Sequence, residues 1–159
     1  MKFQHFFFAA IAVALLSGLG GCANVPKASI ENDADAKSFR SPKSGKSSLY
    51  LVRNTSFGQT SVLELSINGL TVAKTAPHTY VKFELPPGRY YIGSRGENYD
   101  QKSLNLVEGA TYFMWQRVWT GWNDFRTELI QLPQAEGRAA VLESSLVTKL
   151  IDDMDIAPI

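Results

Sequence analysis

Few side chains here could do chemistry, and the first is a lone thiol. Cys22 is the only cysteine; as a thiolate it is a nucleophile or a metal ligand. Of the two histidines, only His78 lies beyond the amino-terminal apolar run. One imidazole cannot build a multi-histidine metal site, so no metal site is expected. A Ser-His-Asp triad would have to run through that same ring. His78 follows Pro77, and no G-x-S-x-G motif is present, so an exposed turn histidine is expected. Carboxylates that could pair for glycoside cleavage are Glu97, Asp100, Asp124 and Glu128, but their spacing does not bring them to one cleft. No catalytic residues are therefore assigned.

The aromatic residues are more suggestive. Tyr112, Phe113, Trp115, Trp119 and Trp122 crowd into one stretch that holds all three tryptophans. On a strand, Phe113, Trp115 and Trp119 share a side, with Arg117 between the tryptophans. Phe113 and Trp115 read as core, since aromatic residues suit strands and bury large areas. Trp119 and Trp122 lie near Gly121 and Asn123, where a loop is expected. With Arg117 they form a candidate exposed patch for a protein partner or a sugar.

Position gives Cys22 its meaning. Residues 1–5 are short and carry Lys2, residues 6–16 (FFFAAIAVALL) are unbroken apolar, and residues 17–21 are small. That is the layout of a secretory signal peptide. The run falls short of the roughly 20 apolar residues that a membrane span needs. Leu19-Gly20-Gly21-Cys22 resembles the lipobox of bacterial lipoproteins. The resemblance implies cleavage between Gly21 and Cys22, with a covalent diacylglyceryl group and an N-acyl chain on Cys22 and no other cofactor. Each buried methylene contributes about 0.8 kcal/mol, so two or three chains would hold the protein on a bilayer. Ala23 follows the cysteine; Asp there would favour inner-membrane retention, so the resemblance implies the outer membrane, facing the periplasm.

The chain has 16 Lys and Arg against 15 Asp and Glu. Lys2 leaves with the leader, so the mature chain is formally neutral and has no electrostatic footprint for nucleic acid. Once Cys22 is acylated no thiol remains for a disulfide, and packing and hydrogen bonds must carry stability.

Three regions are expected: a cleaved leader at 1–21, a lipidated flexible linker at 22–46, and a folded domain at 47–159. The linker is poor in apolar residues and rich in Ser, Lys, Asp, Asn and Pro, a composition that offsets ordering entropy badly. As a flexible coil it would hold the domain about 25–30 Å from its anchor. Gly45-Lys46-Ser47 matches only the end of a phosphate-binding loop, because Arg40 stands where its first glycine should be. The run from Glu31 to Asp35 lacks the glycine turn and closing Glu of a calcium loop.

From residue 47 the pattern becomes short runs of period two. Strands are expected at 48–55, 61–68, 70–75, 78–85, 89–95, 102–107, 110–119 and 125–132. Asn68-Gly69 marks a hairpin turn, and Pro86-Pro87-Gly88 marks another. Such a set predicts a mainly β fold, an antiparallel β-sandwich of about seven to eight strands. A helix is expected after Pro133, with Ala135, Ala139, Leu142, Leu146 and Leu150 on one face and Gly137 weakening its start.

Ser48-Leu49-Tyr50-Leu51-Val52-Arg53, Leu65-Ser66-Ile67-Asn68-Gly69 and Phe83-Glu84-Leu85-Pro86-Pro87-Gly88-Arg89-Tyr90 resemble a family of bacterial lipoproteins designated domain of unknown function 2846. They are also similar to small sandwich repeats of the PEGA type. The resemblance runs over residues 47–132 and implies an exported, β-rich lipoprotein; it brings no catalytic residues. The sequence reading is thus a lipid-anchored, non-enzymatic envelope module for a protein or structural partner. A glycan-binding module built on Trp119 and Trp122 is one alternative, and an envelope hydrolase with paired carboxylates is another.

Overall fold

A computed structural model describes residues 24–159; the leader, its cleavage point and Cys22 lie outside them. Helix α1 spans Ile30–Lys37, and strands β1 to β8 follow at Ser47–Arg53, Leu63–Ile67, Leu70–Thr75, Thr79–Leu85, Gly88–Arg95, Tyr99–Leu106, Thr111–Thr120 and Phe125–Leu132. Helix α2 is Gln134–Leu142, and a two-residue strand β9 is Ser145–Leu146. Among the described residues these strands form a five-stranded sheet, β8-β7-β1-β4-β9, packed on a four-stranded sheet, β3-β2-β5-β6. The expected sandwich is present, with nine strands among the described residues, but it is not wholly antiparallel: β1 pairs with β7 and β4 with β9 in parallel.

Strand β1 is central and every one of its residues is buried. Leu49 and Leu51 face the core between the sheets, with Leu65, Ile67, Phe83, Ile92 and Met114. Tyr50 and Val52 face the opposite side, with Tyr80, Phe113, Ala140 and Val141. Both helices cover that second face, which is why β1 reads as a continuous apolar run rather than an alternating one. The chain alternates cleanly where only one face is covered: Leu63, Leu65 and Ile67 are buried, while Glu64 and Ser66 are half-buried.

The turn motifs act as expected and do more. Asn68 and Gly69 both take positive φ, at 51° and 83°. The Asn68 side chain accepts from the Tyr91 N–H at 2.8 Å and donates to the Ala157 carbonyl at 2.7 Å, tying the hairpin to β5 and to the carboxyl-terminal tail. Tyr90 donates from its hydroxyl to the Pro86 carbonyl at 2.9 Å, and this closes the Pro86-Pro87-Gly88 turn.

Both free sides of the sandwich are shut. On one, β6-side residues satisfy the outer backbone of β8: Asn98 exchanges two bonds with Thr127, each 2.8 Å, and Asp100 accepts from the Leu129 N–H at 2.7 Å. On the other, the tail bonds to Val72 through the Leu150 N–H and to Arg89 through the Ile159 N–H. Exposed strand edges invite pairing with other chains, and these contacts blunt them.

Two expectations are corrected. Residues 24–46 are not a flexible linker. Val25 is buried in the core. Pro26 and Ala28 bond to Thr148 and Leu146 in antiparallel register. α1 then docks on the tyrosine face. Its polar surface hid this: the helix is held by its Ser29 cap, by Tyr50 donating to the Ala36 carbonyl at 2.8 Å, and by Asp33 accepting from the Leu146 N–H at 2.8 Å. Alanine at 36 lets the backbone come that close. The second correction concerns α2. It ends at Leu142 and buries Gly137, Ala140 and Val141, not the expected face; Leu142 points outward. Gly137 is there for contact, since a Cβ would run into the Phe113 ring.

Candidate functional site

Strand β7 delivers Phe113, Trp115, Arg117 and Trp119 to the outer face of the five-stranded sheet, as their spacing predicts. α2 covers only the start of this row. Phe113 is fully buried, Trp115 is half-buried, and Trp119 emerges at 37% exposure. Trp122 follows at the tip of the β7–β8 hairpin and is 91% exposed. Trp119 and Trp122 together leave aromatic surface bare at this end of the sandwich, and contiguous exposed apolar patches mark interaction sites.

The Arg117 guanidinium lies over the Trp119 ring, 5.4 Å from its centroid. It also reaches across to Glu128 on β8 at 2.5 Å, its register partner. The planar cation is therefore fixed between a carboxylate and a π face, and one face of Trp119 is already occupied. Phe57 and Phe125 stack edge to face at 5.6 Å at the same end of the sandwich.

The Trp122 loop is held from the other sheet. Glu97, between β5 and β6, accepts from the Asn123 N–H at 2.8 Å and the Asp124 N–H at 3.0 Å. Its own N–H donates to the Phe125 carbonyl at 2.8 Å. The Asp124 and Asn123 amides hold its carboxyl below the usual carboxylate range. Gly121 closes the turn by donating to the Asp124 carbonyl; a Cβ there would collide with that oxygen and with Glu97 Oε2.

Beneath this surface lies a buried polar chain that the sequence reading missed. Arg53 is fully buried. Its Nη1 donates to the Ser61 and Thr75 carbonyls at 3.0 and 3.3 Å, and its Nη2 to the Phe57 and Gly58 carbonyls at 3.1 and 2.9 Å. Thr75 donates to Gln116 Oε1 at 2.6 Å, and Gln116 donates to Ser94 Oγ at 2.7 Å. Ser94 and Thr127 share a bond of 2.7 Å. The chain of bonds crosses both sheets. Burial pulls the Arg53 guanidinium down to about 10. The one signal was an arginine closing an otherwise apolar strand.

The other sequence candidates are placed as follows. His78 is exposed in a turn at φ 53°, and its Nε2 lies 2.8 Å from Ser56 Oγ. Among the described residues no carboxylate hydrogen-bonds to that ring. Glu97 and Asp100 are engaged with main-chain amides, Asp124 with the Phe125 N–H, and Glu128 with Arg117. Gly45 donates to Glu108 at 2.7 Å, so the Gly45-Lys46-Ser47 turn is tied to the β6–β7 loop. Residues 31–35 form most of α1. A cleft of about 650 Å³ lies between α1 and β4. Three of its four lysines pair with its carboxylates, Lys43 and Lys82 with Glu84 and Lys149 with Asp153, and its Asp35 pairs with Arg40.

The fold and this surface define a two-sheet β domain with an aromatic tip. An uncharacterised protein of Haemophilus influenzae is 33% identical over 133 residues, which cover 82% of this chain and 77% of that protein. The chain belongs to the same family as that protein. No family model matches it, and no solved structure does.

Proposed function

We propose that this protein is a lipid-anchored, non-enzymatic binding module of the bacterial cell envelope, held through Cys22 to the outer membrane and facing the periplasm. Trp119, Trp122 and Arg117 are its partner-contacting surface. The leader and its Leu19-Gly20-Gly21-Cys22 motif support the anchor, as does the resemblance to the lipoprotein family named above. One observation carries the binding role: Trp122 stands almost fully in solvent on a loop pinned by two main-chain bonds to Glu97. A loop fixed in this way presents an aromatic anchor at little ordering cost. The engagement of Glu97, Asp100 and Glu128 in holding the fold supports a binding role over a hydrolytic one.

The test is a photo-crosslinking residue placed at Trp122, with the same residue at Leu142, exposed on α2, as the control. A partner captured at 122, not at 142, and lost on Trp119→Ala is the expected result. Equal capture at both positions would contradict the assignment. A glycan is the second reading, favoured by the free ring face of Trp119 beside Trp122. Tryptophan fluorescence that shifts on titration with peptidoglycan or lipopolysaccharide fragments would select it.

A further inference from the structure

The aromatic tip and the point where the chain joins the fold lie toward opposite ends of the sandwich. Arg53, Thr120 and Phe125 mark the Trp122 end of their strands. Lys27 bridges Val147 in antiparallel register, and β9 just before Val147 runs parallel with β4, toward the far end. Followed outward, the Lys27–Val147 register sets Val25 at Lys149 and Asn24 at the level of Leu150. Val25 is buried, so the folded body begins there. Three Cα-to-Cα steps, across Ala23 and Asn24, separate it from Cys22, a reach of at most about 11 Å.

Four large apolar side chains are exposed toward that end. Leu150 is 56% exposed and Met154 84%, and Leu70 and Ile159 are also exposed. They are strung along one path: the Leu150 N–H bonds to Val72, Asn68 bonds to Ala157, and the Ile159 N–H bonds to Arg89. Asp153 and Asp155 flank Met154, with Asp152 one residue further, so the surface is not a basic grip.

Resting on the lipid-anchor reading above, we propose that Leu70, Leu150, Met154 and Ile159 form a bilayer-contact surface. The acylated Cys22 seats it on a zwitterionic membrane, and the sandwich stands upright with Trp122 facing away. A leash this short raises the local concentration of the surface at the bilayer to the millimolar range or above, so shallow apolar contacts suffice. Strand β7 alone, with 10 residues, spans about 30 Å, which sets the stand-off of the aromatic tip. The acidic pair beside Met154 makes contact weaker on strongly anionic lipid.

The test uses the full acylated chain in phosphatidylcholine–phosphatidylethanolamine nanodiscs doped with a gadolinium-chelating lipid. Paramagnetic relaxation is read at the Leu150 and Met154 methyls and at the Trp122 indole, and intact mass is measured on the same sample. The expected enhancement is at least tenfold larger at Leu150 and Met154 than at Trp122. Leu150→Ser with Met154→Ser, both at exposed positions, lowers the enhancement read at the Leu70 and Ile159 methyls several-fold, and an enhancement there that is unchanged overturns the contact surface. A twenty-residue Gly-Ser spacer between Ala23 and Asn24 removes the contrast. Equal enhancement at both ends of an acylated protein overturns the contact surface and leaves the anchor standing, and contrast that survives the spacer overturns the leash. A mass without acyl chains brings down the anchor and this inference together.

Discussion

The Glu97 carboxylate accepts the Asn123 main-chain N–H at 2.8 Å, so a residue of the four-stranded sheet fixes the loop that the five-stranded sheet uses to display Trp122. The same oxygen takes the Asp124 N–H, and these bonds favour the ionised carboxylate and hold the group below the usual carboxylate range. Glu97→Gln keeps the shape but loses the charge that strengthens both bonds. The expected outcome is a looser tip: lower order for the Trp122 indole by nitrogen relaxation, and partner capture at 122 reduced several-fold. An indole as ordered as in the parent would count against the role given to Glu97.

Asp33 makes the docking of α1 depend on pH. Burial pushes its carboxyl up, but the bond and charge of Lys37 together with the Leu146 amide bring it below the ordinary value. Its folded-state pKa is thus lower than its unfolded one. The stabilisation is complete above the unfolded value, about 4, and is lost as pH falls through the folded value. The protection factor of the Leu146 amide, its exchange rate relative to an unstructured amide at the same pH, should fall in acid, and Asp33→Asn should remove that dependence while leaving protection lower at neutral pH.

Arg53 makes five acceptor contacts, and among the described residues none of its hydrogen bonds goes to a carboxylate. Arg53→Met fills much of the volume but orphans several buried carbonyls, each of which costs about 1–3 kcal/mol when left unpaired. Urea unfolding should show a loss of about 3 kcal/mol or more. Arg53→Lys should recover only part of it, because an ammonium cannot fork to two loops at once.

Gly137 permits the contact between α2 and Phe113. Alanine would be the better helix former in isolation, yet here its Cβ meets the Phe113 ring. Gly137→Ala should therefore destabilise, by about 1–3 kcal/mol, as thermal or urea unfolding would show. A stabilised variant would mean that the helix stands further from the sheet.

Much of the fold was legible because it rests on local signals. Alternation in Leu63, Leu65 and Ile67, positive-φ residues at Asn68-Gly69 and the Tyr90 turn each act over a few residues. What was not legible depends on partners far along the chain. Val25 and Ala36 bury little by themselves and gain their place only once residues 146–148 and the Tyr50 face exist. Arg53 looks like an ordinary strand-end charge until the loop through Phe57, Gly58 and Ser61 folds over it. Gly137 reads as a helix weakener until Phe113 is set beneath it. At the candidate site, the row Phe113, Trp115, Arg117, Trp119 follows from period two, but the grip of Glu97 on Asn123 joins two hairpins and has no signature in either.

The anchor carries the functional reading, and the amino terminus of the native protein tests it most directly. Mass spectrometry of that terminal peptide, from protein extracted from its own membranes, should give a chain that begins at Cys22, with a diacylglyceryl thioether and an N-acyl group. A terminal peptide that begins at another residue, or a Cys22 that carries no lipid, would contradict the account.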